Sequence, residues 1–441
     1  MLDLGRTLLA VGSGPRAESF EIFGRTLDRQ WIEDALEATD TATVRRRKLP
    51  AEQVVWTVIG MGLFRDRSIQ EVVRHLDLVL PASTTAARRP VVTSSAVVQA
   101  RDRLGAQPLA QLFERAAACW AGASADAHRW RGLSVYGVDG SALRVADTPE
   151  NEAAFGRPGS SRGQAGYPQL RLVALMVLRS HLLAGLALGP WSLRETTLAE
   201  PLWARLPDHS VTILDRGFLS YALLHRLATH GSERHWLIRA KSNLKWQTLR
   251  RLGPKDELVT ISLSRQTRRA HPELPETLQV RAVRYQRRGF RPQFLLTSLL
   301  DPVAYPAAEI AQLYHERWEL ELGFDEIKTH ALEREETLRS RAPERVLQEV
   351  WGLAIAYNLV RLHMQHVAQR AGLPPCRISF RHALMLLRGF WLSAWAVAPG
   401  QLPRRLESLH QELALLILPP RRPRRYPRAV KIKMSSYPRS R

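Results

Sequence analysis

Residues 309–332, with the sequence EIAQLYHERWELELGFDEIKTHAL, constrain the fold of this chain more than any other stretch. Their apolar residues recur at steps of three and four, which is the spacing of one face of an amphipathic helix. These residues are Leu313, Leu320, Phe324, Ile327 and Ala331. Pro306 suits the first turn of such a helix, and Glu309 suits the positive end of its dipole. We therefore predict a helix that packs one stripe against a core.

Four polar residues share one edge of this predicted helix. At about 100° per residue they fall within an arc of roughly 60°: Tyr314, Arg317, Glu321 and Lys328. A solvated helix face with spaced ion pairs is the ordinary explanation of such charges. The spacing favours a more specific one, because it runs Tyr, two residues, Arg, three residues, Glu, six residues, Lys.

This spacing, with Trp318 directly after the arginine, resembles the signature of DDE transposases of the bacterial insertion sequence 4 family. The resemblance implies that Glu321 is the third metal-binding carboxylate of a catalytic triad. It also implies that three residues bind DNA phosphates at the transposon end, namely Tyr314, Arg317 and Lys328. Asp325 lies on nearly the same face of the helix and is the alternative to Glu321.

Two aspartates earlier in the chain follow strand-like runs. Asp139, in VYGVDGS, follows an apolar alternation and is flanked by glycines that leave room for close approach. Asp215, in VTILDRG, lies where a buried strand opens, at the carboxyl edge where α/β sheets bind ligands. Aspartate also ends strands as a turn former, and Asp147 is a rival to Asp139 in a turn-like setting. The resemblance matches Asp139, Asp215 and Glu321 to the family triad in order, type and local context.

Carboxylate oxygens suit hard cations, so we expect Mg²⁺ or Mn²⁺, two ions per active site. The resemblance implies cut-and-paste DNA transposition, by metal-assisted hydrolysis and strand transfer at the terminal inverted repeats of the element. It further implies a homodimer on double-stranded DNA that pairs two ends. Two alternatives are a structure-specific endonuclease of the ribonuclease-H-like fold and a non-catalytic, transposon-derived DNA-binding protein.

The charge of the chain agrees with a nucleic-acid partner. Lysine and arginine number 64 against 42 acidic residues, which gives a net charge of +22 and a pI near 10.9. A positive field of this size favours a polyanion, with nucleic acid before an anionic membrane surface. The basic residues occur throughout the chain, which indicates a broad binding surface.

Other sequence features exclude several classes of protein. Cys119 and Cys376 are far apart and lack metal-ligand spacing, which indicates thiols in a reducing compartment. The apolar stretch 170–193 is interrupted by charged residues and cannot be a membrane span. The glycine-rich stretch 156–166 lacks the ending of a phosphate-binding loop, so we expect no nucleotide cofactor. We expect a cytoplasmic, nucleoid-associated bacterial protein.

The fold class predicted from these patterns is α/β. Helical periodicity predicts helices at 27–36, 51–64, 69–80 and 94–120. The segment SSAVVQARDRLG resembles the N-terminal region of the same family, so we predict an all-α domain that binds DNA ends. A packing or oligomerisation module is the alternative. The basic run 45–48, by itself, is more often a solvated surface than a DNA contact.

The middle of the chain carries the pattern of a ribonuclease-H-like core. Antiparallel strands followed by strand, helix and strand predict that fold: strands at 132–145, 169–178, 182–188, 211–218 and 235–240, with helices at 198–206 and 219–229. A basic insertion follows, with strands at 258–263, 278–285 and 293–299. The C-terminal helices are predicted at 343–370, 379–395 and 406–418.

We predict five parts. They are an N-terminal helical domain at 1–122, a ribonuclease-H-like core at 123–245 and 303–340, a basic β insertion at 246–302, C-terminal helices at 341–418 and a basic tail at 419–441. The tail contains no acidic residue and little apolar surface. We expect it to stay disordered until it meets a phosphate backbone.

Overall fold

The computed structural model describes most of the chain, namely residues 27–42, 49–76, 92–160, 163–164, 166–286, 291–333, 337–393 and 399–419. The basic run 45–48 and the tail beyond Pro419 lie outside these residues. The chain forms two compact units. The first contains the described residues up to Ile213, Gly231–Arg234 and Glu316–Leu418; the second contains Leu214–His230 and His235–His315.

The named strands lie between residues 134 and 297, and helices occur among them and on both sides of them in the described chain. In chain order the helices are α1 (Arg29–Glu37), α2 (Ala51–Leu63), α3 (Ile69–His75), α4 (Ser94–Leu104), α5 (Gln107–Ala127), α6 (Pro149–Phe155), α7 (Glu195–Leu198), α8 (Tyr221–Thr229), α9 (Arg265–Ala270), α10 (Ala307–His315), α11 (Trp318–Asp325), α12 (Pro343–Arg370), α13 (Phe380–Ser393) and α14 (Leu402–Ala414). The strands are β1 (Ser134–Arg144), β2 (Gly159–Ser160), β3 (Gly163–Gln164), β4 (Gln169–Val177), β5 (Leu183–Pro190), β6 (Ser210–Leu214), β7 (Arg234–Arg239), β8 (Gln247–Gly253), β9 (Asp256–Ser262), β10 (Thr277–Tyr285) and β11 (Gln293–Thr297).

The first unit contains a sheet with the strand order β5-β4-β1-β6. β1 pairs antiparallel with β4, where Asp139 lies opposite Ala174, and β4 pairs antiparallel with β5. This antiparallel set followed by β6 is the arrangement expected of the predicted core. The apolar stretch 170–193 therefore forms a hairpin. Within the described ranges, no helix is long and apolar enough to cross a membrane.

Helix α12 carries much of the core of the first unit, and α2 and α5 pack against it. α2 is buried on nearly all sides, as expected for a helix that is apolar all round. The α2–α12 contact depends on two glycines: a Cβ atom at Gly62 would lie 2.9 Å from Leu353 Cα, and one at Gly352 would lie 2.7 Å from the Val58 carbonyl oxygen. The predicted N-terminal helices thus share a core with α12. The finer five-part division stays a prediction.

The helix predicted at 94–120 is two helices, α4 and α5, and in this respect the prediction is wrong. Gly105 ends α4 with a φ of 67°, a left-handed conformation that favours glycine. Pro108 then lies in the first turn of α5. The Glu344 carboxylate accepts a hydrogen bond of 2.6 Å from the Ala106 N–H, so a distant residue stabilises the break.

The segment 309–332 is also not one regular helix. α10 ends at His315 and α11 begins at Trp318, with short-range bonds such as Leu320 N–H to the Arg317 carbonyl, 3.1 Å. Residues Glu326–Ala331 then form a π-helix, closed by the Leu332 N–H bond to the Ile327 carbonyl. Because a π-turn changes the angle per residue, the predicted arc of four polar residues does not hold along the whole segment.

The second unit contains strands in the order β7-β11-β10-β9-β8. The three strands predicted for the basic insertion are present as β9, β10 and β11. β8 was missed, because its residues 247–251 are exposed and carry no buried alternation. Arg281 on β10 is fully buried and forms two parallel hydrogen bonds with Asp256 on β9, of 2.7 and 2.5 Å.

Candidate active site

Strand β1 and helix α11 pack against each other in the first unit. They meet at Gly137, where a Cβ atom would lie 2.8 Å from Leu320 Cδ1. Side chains alternate along a strand, so Asp139 projects from the same face of β1 as Gly137. Glu321 follows Leu320 on α11. The packing therefore sets the strand that carries Asp139 against the helix that carries Glu321.

Asp139 is half-buried, and its Oδ1 accepts a hydrogen bond of 2.8 Å from the Gly140 N–H. Gly140 faces the opposite side of β1, where a Cβ atom would lie 2.3 Å from Glu195 Cδ. The close approach expected of the two glycines around Asp139 is therefore confirmed. Gly137 leaves room for α11, and Gly140 leaves room for the Glu195 side chain at the start of α7.

Glu321 is exposed and ion-paired with Arg317, one helical turn earlier. Arg317 Nη2 donates to Glu321 Oε1 at 2.7 Å, and the side chains are 17% and 42% exposed. The Arg317 guanidinium also lies 5.7 Å from the ring centre of Trp318. The sequence predicted this arginine and glutamate on one helix edge, and the structure brings them together.

Lys328 lies in the π-helix and lines an apolar recess of about 410 Å³. Ser141 of β1 lines the same recess, two positions beyond Asp139 and on the same strand face. The remaining lining residues are apolar: Leu143, Leu172, Ala174, Leu183, Leu186, Phe324, Ile327, Val350, Leu353 and Ala354. Lys328 thus borders a recess that the Asp139-bearing face of β1 also lines.

The other two predicted site residues, Asp215 and Tyr314, belong to the second unit. Asp215 directly follows β6 and caps a 3₁₀ turn, where its Oδ2 accepts a hydrogen bond of 3.3 Å from the Gly217 N–H. Tyr314 is 7% exposed on α10, and its ring centre lies 6.4 Å from that of Tyr285. Asp215 thus follows a buried strand, and Tyr314 is largely buried.

The two rival carboxylates have surface partners. Asp147 forms an ion pair with Arg157 and is 52% exposed. Asp325 accepts a hydrogen bond of 2.6 Å from the Thr329 hydroxyl on the same helical segment. Both contacts join residues that are close in the sequence. Asp147 therefore serves as a matched control for Asp139, and Asp325 serves as one for Glu321.

Two transposase family models match this chain. Residues 17–114 match the family model for the insertion element 4 transposase N-terminal region, and residues 130–359 match the model for the transposase DDE domain. The chain is 38% identical over 416 residues to the transposase InsG of insertion sequence element IS4 from Escherichia coli K12, covering 94% of this chain and 92% of that protein. The chain belongs to the DDE transposases of the insertion sequence 4 family.

Two further similarities were found for this transposase. The putative transposase InsZ of Escherichia coli K12 is 34% identical over 279 residues, covering 60% of this chain and 90% of InsZ. A cryo-EM structure of the piggyBac transposase synaptic complex with hairpin DNA matches 91% of this chain and 86% of that one, with 9% identity and a TM-score of 0.42. The family assignment follows from the two domain models and InsG.

Family membership confirms several predictions from the sequence. The protein is a DNA transposase with a ribonuclease-H-like core, and the DDE domain implies that it depends on a divalent metal ion. The segment SSAVVQARDRLG lies within the matched N-terminal region. The matched DDE domain contains Asp139, Asp215 and Glu321. Their roles, and the identity and number of the ions, are proposals.

Sequence reasoning missed a buried polar network in the transposase, centred on Glu326 of the π-helix. Glu326 Oε2 accepts hydrogen bonds from Arg361 Nε at 3.0 Å and from the Tyr357 hydroxyl at 2.9 Å, both on α12. Burial alone would raise the pKa of Glu326, but the charges of Arg361 and His181 outweigh it and lower the pKa to about 2. Glu326 therefore anchors the segment between Glu321 and Lys328 to the core as a carboxylate.

Proposed function

We propose that this transposase excises and inserts its element by cutting and rejoining phosphodiester bonds at the terminal inverted repeats, with Asp139, Asp215 and Glu321 as the metal-binding carboxylates. The observation that carries the proposal is the packing of α11 on β1 at Gly137. That packing sets the strand that carries the half-buried Asp139 against the helix that carries the exposed Glu321, which supports a shared metal site.

The donor set fits a hard divalent ion. Asp139 and Glu321 both offer carboxylate oxygens; one accepts from the Gly140 N–H and the other is paired with Arg317. Oxygen donors of this kind suit Mg²⁺ or Mn²⁺. Two such ions, when bound, activate the attacking water or 3′-hydroxyl and stabilise the leaving oxygen. The three carboxylates would hold the ions, with Asp215 completing the set.

Arg317 would exchange partners during the reaction. Its ion pair with Glu321 keeps the carboxylate neutralised and the guanidinium oriented while no DNA is bound. When Glu321 serves as a metal ligand, Arg317 can turn to a DNA phosphate, which a guanidinium binds with two parallel hydrogen bonds. Lys328, beside Ser141, would hold a second phosphate as a point charge. Tyr314 would contribute its hydroxyl from the second unit.

The reaction requires two DNA ends to be held together, so we infer a homodimer assembled on transposon ends at the bacterial nucleoid. The +22 charge supports binding to the DNA backbone before any specific contact is made. A measurement of the mass of the complex on duplexes that carry the terminal repeats tests this. Two chains per pair of ends are expected, and one chain per pair would overturn the dimer.

The triad is tested with purified full-length protein, Mg²⁺ and duplexes that carry the terminal repeats of the element. We expect Asp139→Asn, Asp215→Asn and Glu321→Gln each to reduce cleavage about a thousandfold, or about 4 kcal/mol in barrier height. DNA binding should persist. Asp147→Asn and Asp325→Asn are the matched controls and should cleave normally.

Two outcomes would redirect the assignment. Full cleavage by Asp139→Asn would contradict the proposed metal site and favour a non-catalytic binding role for this region. Cleavage by the wild-type protein without any joined product, on substrates with a free 3′-hydroxyl and a target duplex, would favour an endonuclease.

A further inference from the structure

Three metal-ligating side chains of different chemistry meet outside the proposed catalytic carboxylates. They are His181, Glu319 and Cys376, whose ligand atoms all lie within 4.8 Å of one another. His181 Nε2 and Glu319 Oε2 are 2.8 Å apart. The side chains come from three separate parts of the first unit, so the fold rather than local sequence brings them together.

Each ligand lies on a short, well-defined element. His181 occupies the tight turn between β4 and β5, with a left-handed φ of 60°. Glu319 lies in the first turn of α11, two residues before Glu321. Cys376 lies in the 3₁₀ turn Pro375–Arg377 after α12. An ion bound to all three would tie the start of α11 to the sheet and to the C-terminal region.

The ligand types select the metal. A thiolate, an imidazole and a carboxylate form a donor set that suits Zn²⁺, whereas Mg²⁺ and Mn²⁺ prefer oxygen alone. The site is largely covered, since the side chain of His181 is 2% exposed and that of Glu319 is 17% exposed. Cys376 is half-buried, which leaves a route by which an ion can enter.

The surroundings of His181 resemble those of a zinc-binding histidine. Its Nδ1 lies 3.3 Å from Glu326 Oε2, and Arg361 and Tyr357 fix that carboxylate. A metal-bound histidine ordinarily donates its second ring N–H to such a group. Arg361 also contacts Nδ1. Because a guanidinium only donates, that contact makes Nδ1 an acceptor in this arrangement. Metal binding at Nε2 would move the ring proton to Nδ1, where Glu326 accepts it, and Arg361 would give up its contact with Nδ1 while keeping its bonds to Glu326.

The charges of this region balance with a divalent ion. A Zn²⁺ ion neutralises the Glu319 carboxylate and the Cys376 thiolate, and Arg361 neutralises Glu326. A buried site requires such pairing, because an unpaired buried charge is costly. The metal-free alternative is an imidazolium between the two carboxylates, with the Cys376 thiol donating to the Leu178 carbonyl at 3.7 Å.

We propose that His181, Glu319 and Cys376 bind one structural Zn²⁺, with water as the fourth ligand, separate from the Mg²⁺ or Mn²⁺ of the DNA-cutting reaction. The ion would hold the first turn of α11 in place and would thereby fix the orientation of the rest of that helix. The proposal does not depend on the catalytic role of Glu321.

The two cysteines of the chain allow a matched test. Full-length protein is loaded with Zn²⁺, passed through a desalting column and analysed for metal content. Wild type and Cys119→Ser, which changes an exposed thiol on α5, should each retain about one Zn²⁺ per chain. Cys376→Ser should bind Zn²⁺ at least about tenfold more weakly. Asp139→Ala should retain the zinc.

A second measurement uses the wild-type protein alone, so its result does not depend on whether a variant folds. Alkylation of the two thiols is followed by mass spectrometry with and without Zn²⁺. Zinc should slow the modification of Cys376 at least about tenfold and leave Cys119 unchanged. Equal rates at Cys376 with and without Zn²⁺, or no zinc retained by the wild type, would overturn the proposal in favour of a metal-free polar cluster.

Discussion

Leu320 lies so close to Gly137 that a single methyl group on the glycine would come within 2.8 Å of the leucine Cδ1. Leu178 approaches from the other side, at 2.7 Å from the same position. A larger residue at this position would force Leu320 or Leu178 to move. The packing of the Glu321 helix on the Asp139 strand therefore uses the space that Gly137 leaves.

Gly137→Ala should push α11 away from β1. Overpacking of this kind costs about 1–3 kcal/mol in unfolding free energy, and a displaced Glu321 should reduce DNA cleavage at least about a hundredfold. Cleavage rate and denaturant unfolding are the measurements. Gly122→Ala is the control, because no atom lies within 4 Å of a Cβ there. Normal cleavage by Gly137→Ala would contradict the role given to this contact.

Arg281→Met should destabilise the second unit by about 3–5 kcal/mol, because it leaves Asp256 buried without its partner. Arg281 Nη1 also donates to the Tyr305 carbonyl at 2.7 Å, just before α10. The double variant Arg281→Met, Asp256→Leu should recover much of the loss. Arg268→Met removes an exposed ion pair with Glu276 and should cost less than about 1 kcal/mol. Equal losses in the two arginine variants, measured by chemical denaturation, would refute this account.

Stability should fall in mild acid because of His363. Burial, reinforced by His410 and His366, lowers the pKa of His363 to about 3, from 6.5. Between these pH values the unfolded chain binds a proton that the folded chain does not, so this contribution is complete above about pH 6.5 and declines toward pH 3. The slope is up to about 1.4 kcal/mol per pH unit.

The variant His363→Leu tests this pH dependence. Its thermal midpoint should change less between pH 6.5 and 4.5 than that of the wild type, since leucine does not titrate. His75→Gln, which alters an exposed histidine, should keep the wild-type slope. Parallel pH profiles for wild type and His363→Leu would show that another group controls acid sensitivity.

Arg250 and Arg251 on the exposed edge strand β8 should contact DNA phosphates. The double alanine variant should weaken binding to all DNA sequences alike and reduce the slope of log K against log salt by about 2. The double variant Arg404→Ala, Arg405→Ala removes the same charge from exposed positions on α14. If both variants reduce the slope equally, the effect comes from the net charge of the protein and not from β8. If the β8 variant leaves the slope unchanged, Arg250 and Arg251 do not contact DNA phosphates.

The sequence by itself determined the features that depend on neighbouring residues. Alternation around VYGVDGS predicted β1, and the apolar run in VTILDRG predicted β6 as a buried strand. Helical periodicity predicted α12 with its bounds at Pro343 and Arg370. The spacing of Arg317 and Glu321 was sufficient to predict that they share one helix edge, because residues four apart on a helix are adjacent. These signals also indicated the family.

Only the tertiary structure decided the features that depend on distant partners. The break after Gly105 is stabilised by Glu344, and the π-helix begins at Glu326, which α12 holds through Arg361 and Tyr357. His181 and Glu319 are 138 residues apart, and no local pattern relates them to each other or to Cys376. Hydrogen bonds and packing between remote segments override local helix and strand preferences, and they assemble side chains whose separation in the sequence carries no signal.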